Sequence, residues 1–434
     1  MFTTYKEALN WIHGRLRFGI KPGLKRMEWM MKRLGSSGSN LKAIHIGGTN
    51  GKGSTVTFLR SILEAGGYSV GTFTSPYIEQ FNERISVNGQ PIGDQEIIKL
   101  VNVIRPLADE LEATELGGPT EFEVITAMSF YYFAELNPVD FVLFEVGLGG
   151  RLDSTNIIKP IASVITNIGL DHTNILGNSH EEIAFEKAGI IKAGTPVFTA
   201  VQQNGALRVI EEQAKQKKAP IYRLNHEFFI DFHQSQPKGE IFSIKSDFRL
   251  EKLEILMIGK HQTENAALAV VTAQFLHKLG DISVSEQSIR EGLRLAYWPG
   301  RFEILSESPH VIIDGAHNDE GISKLVAELL NRFPHQSIHV VFAALKDKKL
   351  ENMISRLDQL ADKISFVSFD FPRAAAAKDL HEVSTSENKQ AVDDWKSFFY
   401  QEIPALNENE LLVVTGSLYF ISEVKPYLIG ILSK

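Results

Sequence analysis

Residues Gly47-Gly48-Thr49-Asn50-Gly51-Lys52-Gly53-Ser54-Thr55 stand between an apolar run, residues 41–46, and a second run, Val56-Thr57-Phe58-Leu59-Arg60-Ser61-Ile62-Leu63. Glycines allow successive backbone N–H groups to converge on one point, and the start of a helix adds partial positive charge. A strand, a glycine loop, a lysine, hydroxyls and a helix in that order make a cradle for phosphates, with Lys52 reaching the outer ones. Such a segment commits its surroundings to an α/β sheet and implies a bound nucleoside triphosphate. The spelling departs from the common phosphate loop at one place. Gly53 separates the lysine from Ser54-Thr55, where the usual pattern puts a hydroxyl next to lysine.

The rest of the chain fits that start. Its 434 residues suit two or three domains, and 43% hydrophobic residues allow a sizeable core. A formal net charge of -8 argues against nucleic acid or an anionic membrane surface as the main partner, so anionic ligands are met by local sites. Cysteine is absent, which excludes disulfides, thiolate metal sites and a cysteine nucleophile, and fits a reducing cytoplasm. No signal peptide or membrane span is expected from the sequence.

Short apolar runs alternate with amphipathic stretches. Strands are expected at 43–46, 69–73, 139–146, 162–166 and 196–199, and helices at 122–136 and 181–188, which together predict a largely parallel sheet. Residues 222–257 change to an alternating pattern and predict a small antiparallel patch. Helices follow up to Leu295, and Trp298-Pro299-Gly300-Arg301 marks a boundary. Beyond it the alternation restarts, with strands at 311–313, 338–344, 364–369 and 411–415, a helix at 319–332 and a closing helix. The expected organisation is an ATPase-like domain over 1–297 and a smaller α/β domain over 298–434. A cleft between two domains suits the joining of two substrates.

A triphosphate brings Mg²⁺, which takes oxygen ligands and keeps waters. Glu145, at the end of the apolar run Phe141-Val142-Leu143-Phe144, supplies a carboxylate at the strand edge where open α/β sheets bind ligands. The glycine-rich loop Gly147-Leu148-Gly149-Gly150-Arg151-Leu152-Asp153-Ser154-Thr155-Asn156 starts at the same edge, and Asn167-Ile168-Gly169-Leu170-Asp171-His172 places a histidine on another strand-end loop. Ser75, in Thr74-Ser75-Pro76-Tyr77, reads either as a hydroxyl ligand or as a turn residue.

The series G-T-N-G-K-G-S, T-S-P-Y with F-N-E-R-I, E-V-G-L-G-G-R-L-D-S-T-N, G-L-D-H, E-K-A-G-I, G-K-H-Q-x-x-N-A, W-P-G-R-F-E and D-G-A-H-N resembles the folylpolyglutamate synthases. These are ATP-dependent amide ligases of the Mur ligase superfamily, related to or combined with dihydrofolate synthase. The likeness spans essentially the whole chain. It implies that Thr49, Asn50, Gly51, Lys52, Gly53 and Ser54 hold ATP phosphates, and that Ser75 and Glu145 bind a first Mg²⁺. Glu145 and His172 would help hold a second, bridged by a carbamylated lysine whose counterpart is Lys187; by the residues alone Lys187 is a solvated helix lysine. Asn265 would lie beside the adenine, near His261 and Gln262. Arg301 would face the phosphates and Asp314 the ribose, with His317 and Asn318 beside them, although Arg301 also reads as an interdomain ion-pair residue.

The implied chemistry is activation of a carboxylate as an acyl phosphate, followed by attack of the L-glutamate amine, with Lys52, Glu145, His172, Lys187 and Arg301 as the catalytic set. Phe81, Arg84, Phe122 and Asp153 would line the folate side, Phe122 reading equally as helix core. Ser417 would take the incoming glutamate's carboxylate or simply cap a helix. Tyr77 stands where some relatives have histidine. The implied partners are ATP, L-glutamate and a folate or dihydropteroate, and a monomer is expected.

Two other readings stay open. A P-loop switch explains the cradle, but no N-K-x-D motif occurs and the second α/β domain would be idle. A ligase acting on a cell-wall nucleotide precursor explains the ATP residues equally well, but the segment ahead of the phosphate loop is short for the extra domain such enzymes carry.

Overall fold

The computed structural model describes residues 1–19, 21–35 and 41–433. Its strands are β1 (Ala43–Gly47), β2 (Val70–Phe73), β3 (Ile85–Val87), β4 (Gln90–Pro91), β5 (Phe141–Glu145), β6 (Ala162–Ile165), β7 (Val197–Thr199), β8 (Ile221–Arg223), β9 (Phe229–Gln236), β10 (Gly239–Lys245), β11 (Arg249–Ile255), β12 (Glu303–Glu307), β13 (His310–Asp314), β14 (Ser337–Phe342), β15 (Lys363–Val367), β16 (Lys389–Val392) and β17 (Glu410–Thr415). They form an 8-stranded sheet in the order β4-β3-β2-β5-β1-β6-β7-β8, a 3-stranded sheet β11-β10-β9, and a 6-stranded sheet β12-β13-β17-β14-β15-β16.

The first sheet is parallel from β2 to β8, with β3 and β4 added antiparallel at one edge. All residues of β1, β5 and β6 are buried, as parallel strands covered on both faces require. Alternate side chains serve opposite layers. Ile44, Ile46, Phe141, Leu143 and Val164 pack against helices Lys52–Ala65, Lys260–Leu279 and Glu286–Leu295. Val142 and Phe144 face helices Asp94–Glu112 and Glu121–Tyr131. A fully buried Leu, Ile or Phe contributes roughly 1.5–3 kcal/mol. The phosphate-loop helix is therefore held by Val56, Phe58, Leu59, Ile62 and Leu63 more than by its own propensity.

The 6-stranded sheet is the core of a separate C-terminal α/β domain, parallel except for β12 against β13. The two parts interlock. Ile78, from the loop after β2, sits in the C-terminal core with Ile313, Leu418 and Ile421. Lys425 bridges Glu79 at 2.7 Å and Glu303 at 3.0 Å. Among the described residues no helix is long and apolar enough to cross a membrane.

Three local expectations are corrected. Residues 221–223 do not join the antiparallel patch but extend the main sheet, parallel to β7, and the patch begins at Phe229. The helix expected over 122–136 starts at Glu121, capped by Thr120, and widens into a π-turn over Tyr132–Leu136. The strand expected over 139–146 is only Phe141–Glu145, which makes Glu145 its last residue.

Candidate active site

The carboxyl ends of β2, β5, β1 and β6 lie side by side in the first sheet, and each contributes to one site. After β1 the chain turns through Gly51 at φ +82, the residue that starts helix Lys52–Ala65. The glycines here are set by neighbours as well as by backbone. A Cβ on Gly48 (φ +143) would lie 1.8 Å from Thr166 Oγ1, one on Gly51 2.3 Å from Asn265 Oδ1, and one on Gly53 2.8 Å from Trp298 Nε1. Thr49 and Asn50 are tied to the loop after β6: Thr49 N donates to Asn167 O at 3.0 Å, Asn50 N to Asn167 Oδ1 at 2.8 Å, and Thr166 Oγ1 to Asn50 O at 2.6 Å.

Two lysines converge on the loop. Lys52 Nζ donates to Gly48 O at 3.2 Å and Thr49 O at 3.1 Å, and Lys187 Nζ donates to the same Gly48 O at 2.9 Å. Lys187 is buried, contrary to the solvated helix lysine that its local sequence suggests. Burial, helped by the Lys52 charge, brings its amine down to about 7. Burial also lowers Lys52, with Glu145 and Asp171 working in the opposite direction.

Lys187 reaches the loop because the glycine-rich segment after β5 clamps its helix, His180–Ala188. Arg151 N donates to Glu186 O at 2.7 Å, Asn156 Nδ2 to Gly189 O at 3.1 Å, and a Cβ on Gly150 would lie 2.9 Å from Lys187 O. Asp153 is committed to this segment: its carboxylate accepts from Leu148 N at 2.8 Å, Thr155 N at 3.0 Å and Thr155 Oγ1 at 2.5 Å. His45 Nε2, in β1, meets Thr155 Oγ1 at 2.8 Å. Asp153 thus shapes the loop from inside, a task its assignment to the folate side did not foresee.

Glu145 is buried, and burial raises its carboxyl while Lys52 and the Ser75 amide pull it back. Ser75 N donates to its Oε2 at 3.3 Å. His172 starts the turn Thr173–Leu176 at φ +50, and burial lowers it to about 4. Among the described residues no group of three or more His, Asp or Glu side chains is placed to hold a metal.

The C-terminal domain closes over the loop. Asn318 and Asn50 pair through their side chains at 3.0 and 3.3 Å, and Asn318 Nδ2 also donates to Asp171 Oδ2 at 3.1 Å. Lys348, from the loop after β14, donates to Asp171 Oδ1 at 2.6 Å, with both side chains at most 10% exposed. Burial would raise the Asp171 carboxyl, but Lys348, His317 and His172 hold it well below the usual range. Sequence reasoning missed Lys348 and gave Asp171 no role. The available signal was position alone: a lysine-rich loop at the carboxyl end of a parallel strand.

Arg301 is half-buried, with Asp314 and Glu145 near enough to offset part of the desolvation that lowers it. The Asp314 carboxylate accepts from Phe302 N and Ala316 N, both at 2.8 Å, so it also braces the turn that presents Arg301. His317 Nδ1 lies 2.8 Å from Gly315 O, and burial lowers the ring to about 4. Asn265 touches the loop at Gly51 and donates to Gln262 Oε1 at 2.9 Å. Ser417 caps the closing helix, Leu418–Leu432.

Beyond the loop after β2 lies a second cluster. The Arg84 guanidinium stands over Tyr77 and Phe81 at 5.3 and 5.7 Å and approaches Glu121 Oε1 at 3.9 Å. His13, unremarked in the sequence, packs edge-on to Phe81 at 5.6 Å and faces Glu121 Oε2 at 3.5 Å. Buried Arg84 Nε and Glu121 Oε2 have no hydrogen-bond partner among the described residues. The Phe122 ring packs on Gly147 and Phe73, so it joins this cluster to the core.

The family models that match are the Mur ligase middle domain over residues 46–273 and the Mur ligase, glutamate ligase domain over 300–418. The dihydrofolate synthase/folylpolyglutamate synthase of Bacillus subtilis is 52% identical over 429 residues, covering 99% of this chain and 100% of that protein. The crystal structure of the Thermotoga maritima folylpolyglutamate synthase superposes with a TM-score of 0.85 at 34% identity, over 98% of this chain and 96% of that one. A folylpolyglutamate synthase solved with AMPPCP and folate superposes with a TM-score of 0.84 at 32% identity, over 99% and 100%. The chain belongs to the folylpolyglutamate synthase family of Mur ligases.

Proposed function

We propose that this protein is an ATP-dependent ligase that adds L-glutamate to a folate through an acyl phosphate, and that it also joins glutamate to dihydropteroate. Full-length similarity to a dihydrofolate synthase/folylpolyglutamate synthase carries the reading, and the crowding of Lys52, Lys187 and the C-terminal loop around one phosphate cradle supports it. A carboxylate is a poor electrophile. Its oxygen attacks the γ-phosphorus, ADP leaves, and the glutamate amine then displaces phosphate through a tetrahedral intermediate to leave an amide. Lys52 and the amides of Gly51 to Ser54 neutralise phosphoryl oxygens, while the Thr49 and Asn50 amides are spent on Asn167, and Arg301 adds charge from the other domain. Closure of Asn318 and Lys348 over the loop excludes water, which would otherwise hydrolyse the acyl phosphate. Asn265, Asp314 and His317 bound the nucleotide side; Phe81, Arg84 and Phe122 bound the folate side, where unpaired Arg84 Nε can take a ligand oxygen. The amides at Ser417 would receive the glutamate carboxylate.

Ser75 and Glu145 fit the Mg²⁺ that accompanies ATP, because the buried Glu145 carboxylate is only partly compensated by Lys52. That ion supplies charge neutralisation on the phosphates. Glu145, His172 and Lys187 fit a second ion only if Lys187 carries an anionic oxygen. An amine brought down to about 7 is available as the free base for CO₂, giving a carbamate and a proton. We place the domain boundary at 297/298 and the protein in the cytoplasm as a monomer. Phosphate release from ATP is expected only when L-glutamate and a folate acceptor are both present, with tetrahydrofolate and dihydropteroate tested in parallel. Silence with both acceptors overturns the reading.

A further inference from the structure

The inserted glycine of the phosphate loop has a physical partner. Gly53 is buried in the first turn of the helix, and a Cβ there would lie 2.8, 2.9 and 3.0 Å from Nε1, Cε2 and Cζ2 of Trp298. These three atoms belong to one rigid edge of the indole, which has no flexible end to move aside. Trp298 itself packs on the core of the first domain, although it belongs to the segment that leads into the second. Only two residues separate it from Arg301. Between them Gly300 takes φ +69, its N–H donates to Glu303 Oε2 at 2.8 Å, and its carbonyl accepts from Gly315 N at 2.8 Å. The segment is pinned at both ends: by the indole on the phosphate loop, and by β13 and its turn on the side of Arg301 and Asp314.

We propose that Trp298 is a positioning residue that couples the seating of the phosphate loop to the placement of Arg301, with Gly53 as the socket that the coupling requires. The proposal rests on the reading of this loop as the ATP site. In a loop that only binds phosphates, a hydroxyl residue directly after lysine would serve. Here any side chain at that position displaces the indole, and with it the turn that presents Arg301.

A double-mutant cycle on the full chain tests this, with Gly53→Ala, Trp298→Leu and the pair, each checked by thermal unfolding. Leucine keeps an apolar contact and removes the three crowded atoms. Turnover, as phosphate release, is expected to fall at least tenfold in Gly53→Ala and several-fold in Trp298→Leu. The pair should return to the level of Trp298→Leu alone, because the methyl group no longer meets an indole. Multiplying losses in the pair would overturn the proposal and mean that the methyl group harms phosphate binding directly. A second measurement needs no folate and no turnover. The chain has four tryptophans, so titration with a non-hydrolysable ATP analogue should change the emission of the wild-type protein much more than that of Trp298→Leu. An emission change as large in Trp298→Leu as in the wild type overturns the coupling. Wild-type protein that binds the analogue yet fails to ligate folate refutes the proposed function and leaves the coupling intact.

Discussion

Lys348→Met separates the closed arrangement of the two domains from the phosphate loop itself. Lys348 contributes a single 2.6 Å contact, to Asp171 Oδ1, and both side chains are at most 10% exposed. Removing one partner of a buried pair typically costs about 3–5 kcal/mol, because the remaining charge stays desolvated. Asp171 keeps Asn318 Nδ2 at 3.1 Å and His317 Nε2 at 3.7 Å, and it can regain water when the cleft opens. The penalty on closure is therefore nearer to roughly 2–4 kcal/mol, or about 30- to 1,000-fold in kcat/KM. A second consequence has a fixed sign. After burial, Lys348 is the largest influence holding His317 down, so its removal lets His317 rise from about 4. The assay is steady-state phosphate release with folate and glutamate, together with an NMR titration of His317. In Lys348→Met/Asp171→Asn both charges are gone, and the loss should be smaller than in Lys348→Met. A kcat/KM within threefold of wild type, or a His317 titration that does not move, would refute the reasoning.

Lys187→Ala should lose turnover, and short-chain carboxylic acids should restore part of it by entering the vacated space as oxygen ligands; undiminished turnover removes Lys187 from the site. Gly48→Ala places a Cβ 1.8 Å from Thr166 Oγ1 and strains a backbone at φ +143, so nucleotide affinity by calorimetry should fall at least tenfold. Affinity equal to wild type would show that the loop relaxes freely. Burial lowers His45 and His261 from 6.5 to about 3. Between these values the unfolded chain binds protons that the folded one refuses, so stability rises with pH from 3 to 6.5 and each histidine contributes up to about 1.4 kcal/mol per unit. Urea unfolding at pH 4.5 and 7 should show the loss on acidification, and His45→Gln should reduce the slope by about one proton; an unchanged slope excludes His45.

How much of this was legible depended on whether the signal was local. The phosphate loop, the apolar strands around it and helix 319–332 announce themselves within a dozen residues, since period and turn chemistry are short-range. The edge hairpin of β3 and β4 had such a signal too, Asn88-Gly89 between Val87 and Gln90, with φ +50 and +70 as a tight turn needs. The extra strand β8 had none, because three half-buried residues gain their pairing only from β7. The structural task of Asp153 was hidden for a related reason. Its loop looks like ligand-binding chain, and only the fold reveals that its carboxylate faces Thr155, Leu148 and, through Thr155, His45.

The site shows the same limit more sharply. Lys187 has an ordinary helix around it in sequence, yet it is buried because Gly150 and Gly189 let the loop after β5 lie against its helix and drive the amine toward Gly48 O. Its depressed proton affinity thus comes from a burial that Gly150 and Gly189 permit, helped by the Lys52 charge. Lys348 and Asp171 lie far apart along the sequence, and neither predicts the other; the pair exists because two parallel sheets bring their carboxyl edges together. A phosphate loop fixes where a triphosphate goes. What makes that place a ligase is the second edge, and the residues that join the two, Asn318, Lys348 and Trp298, act through contacts that only the folded chain creates.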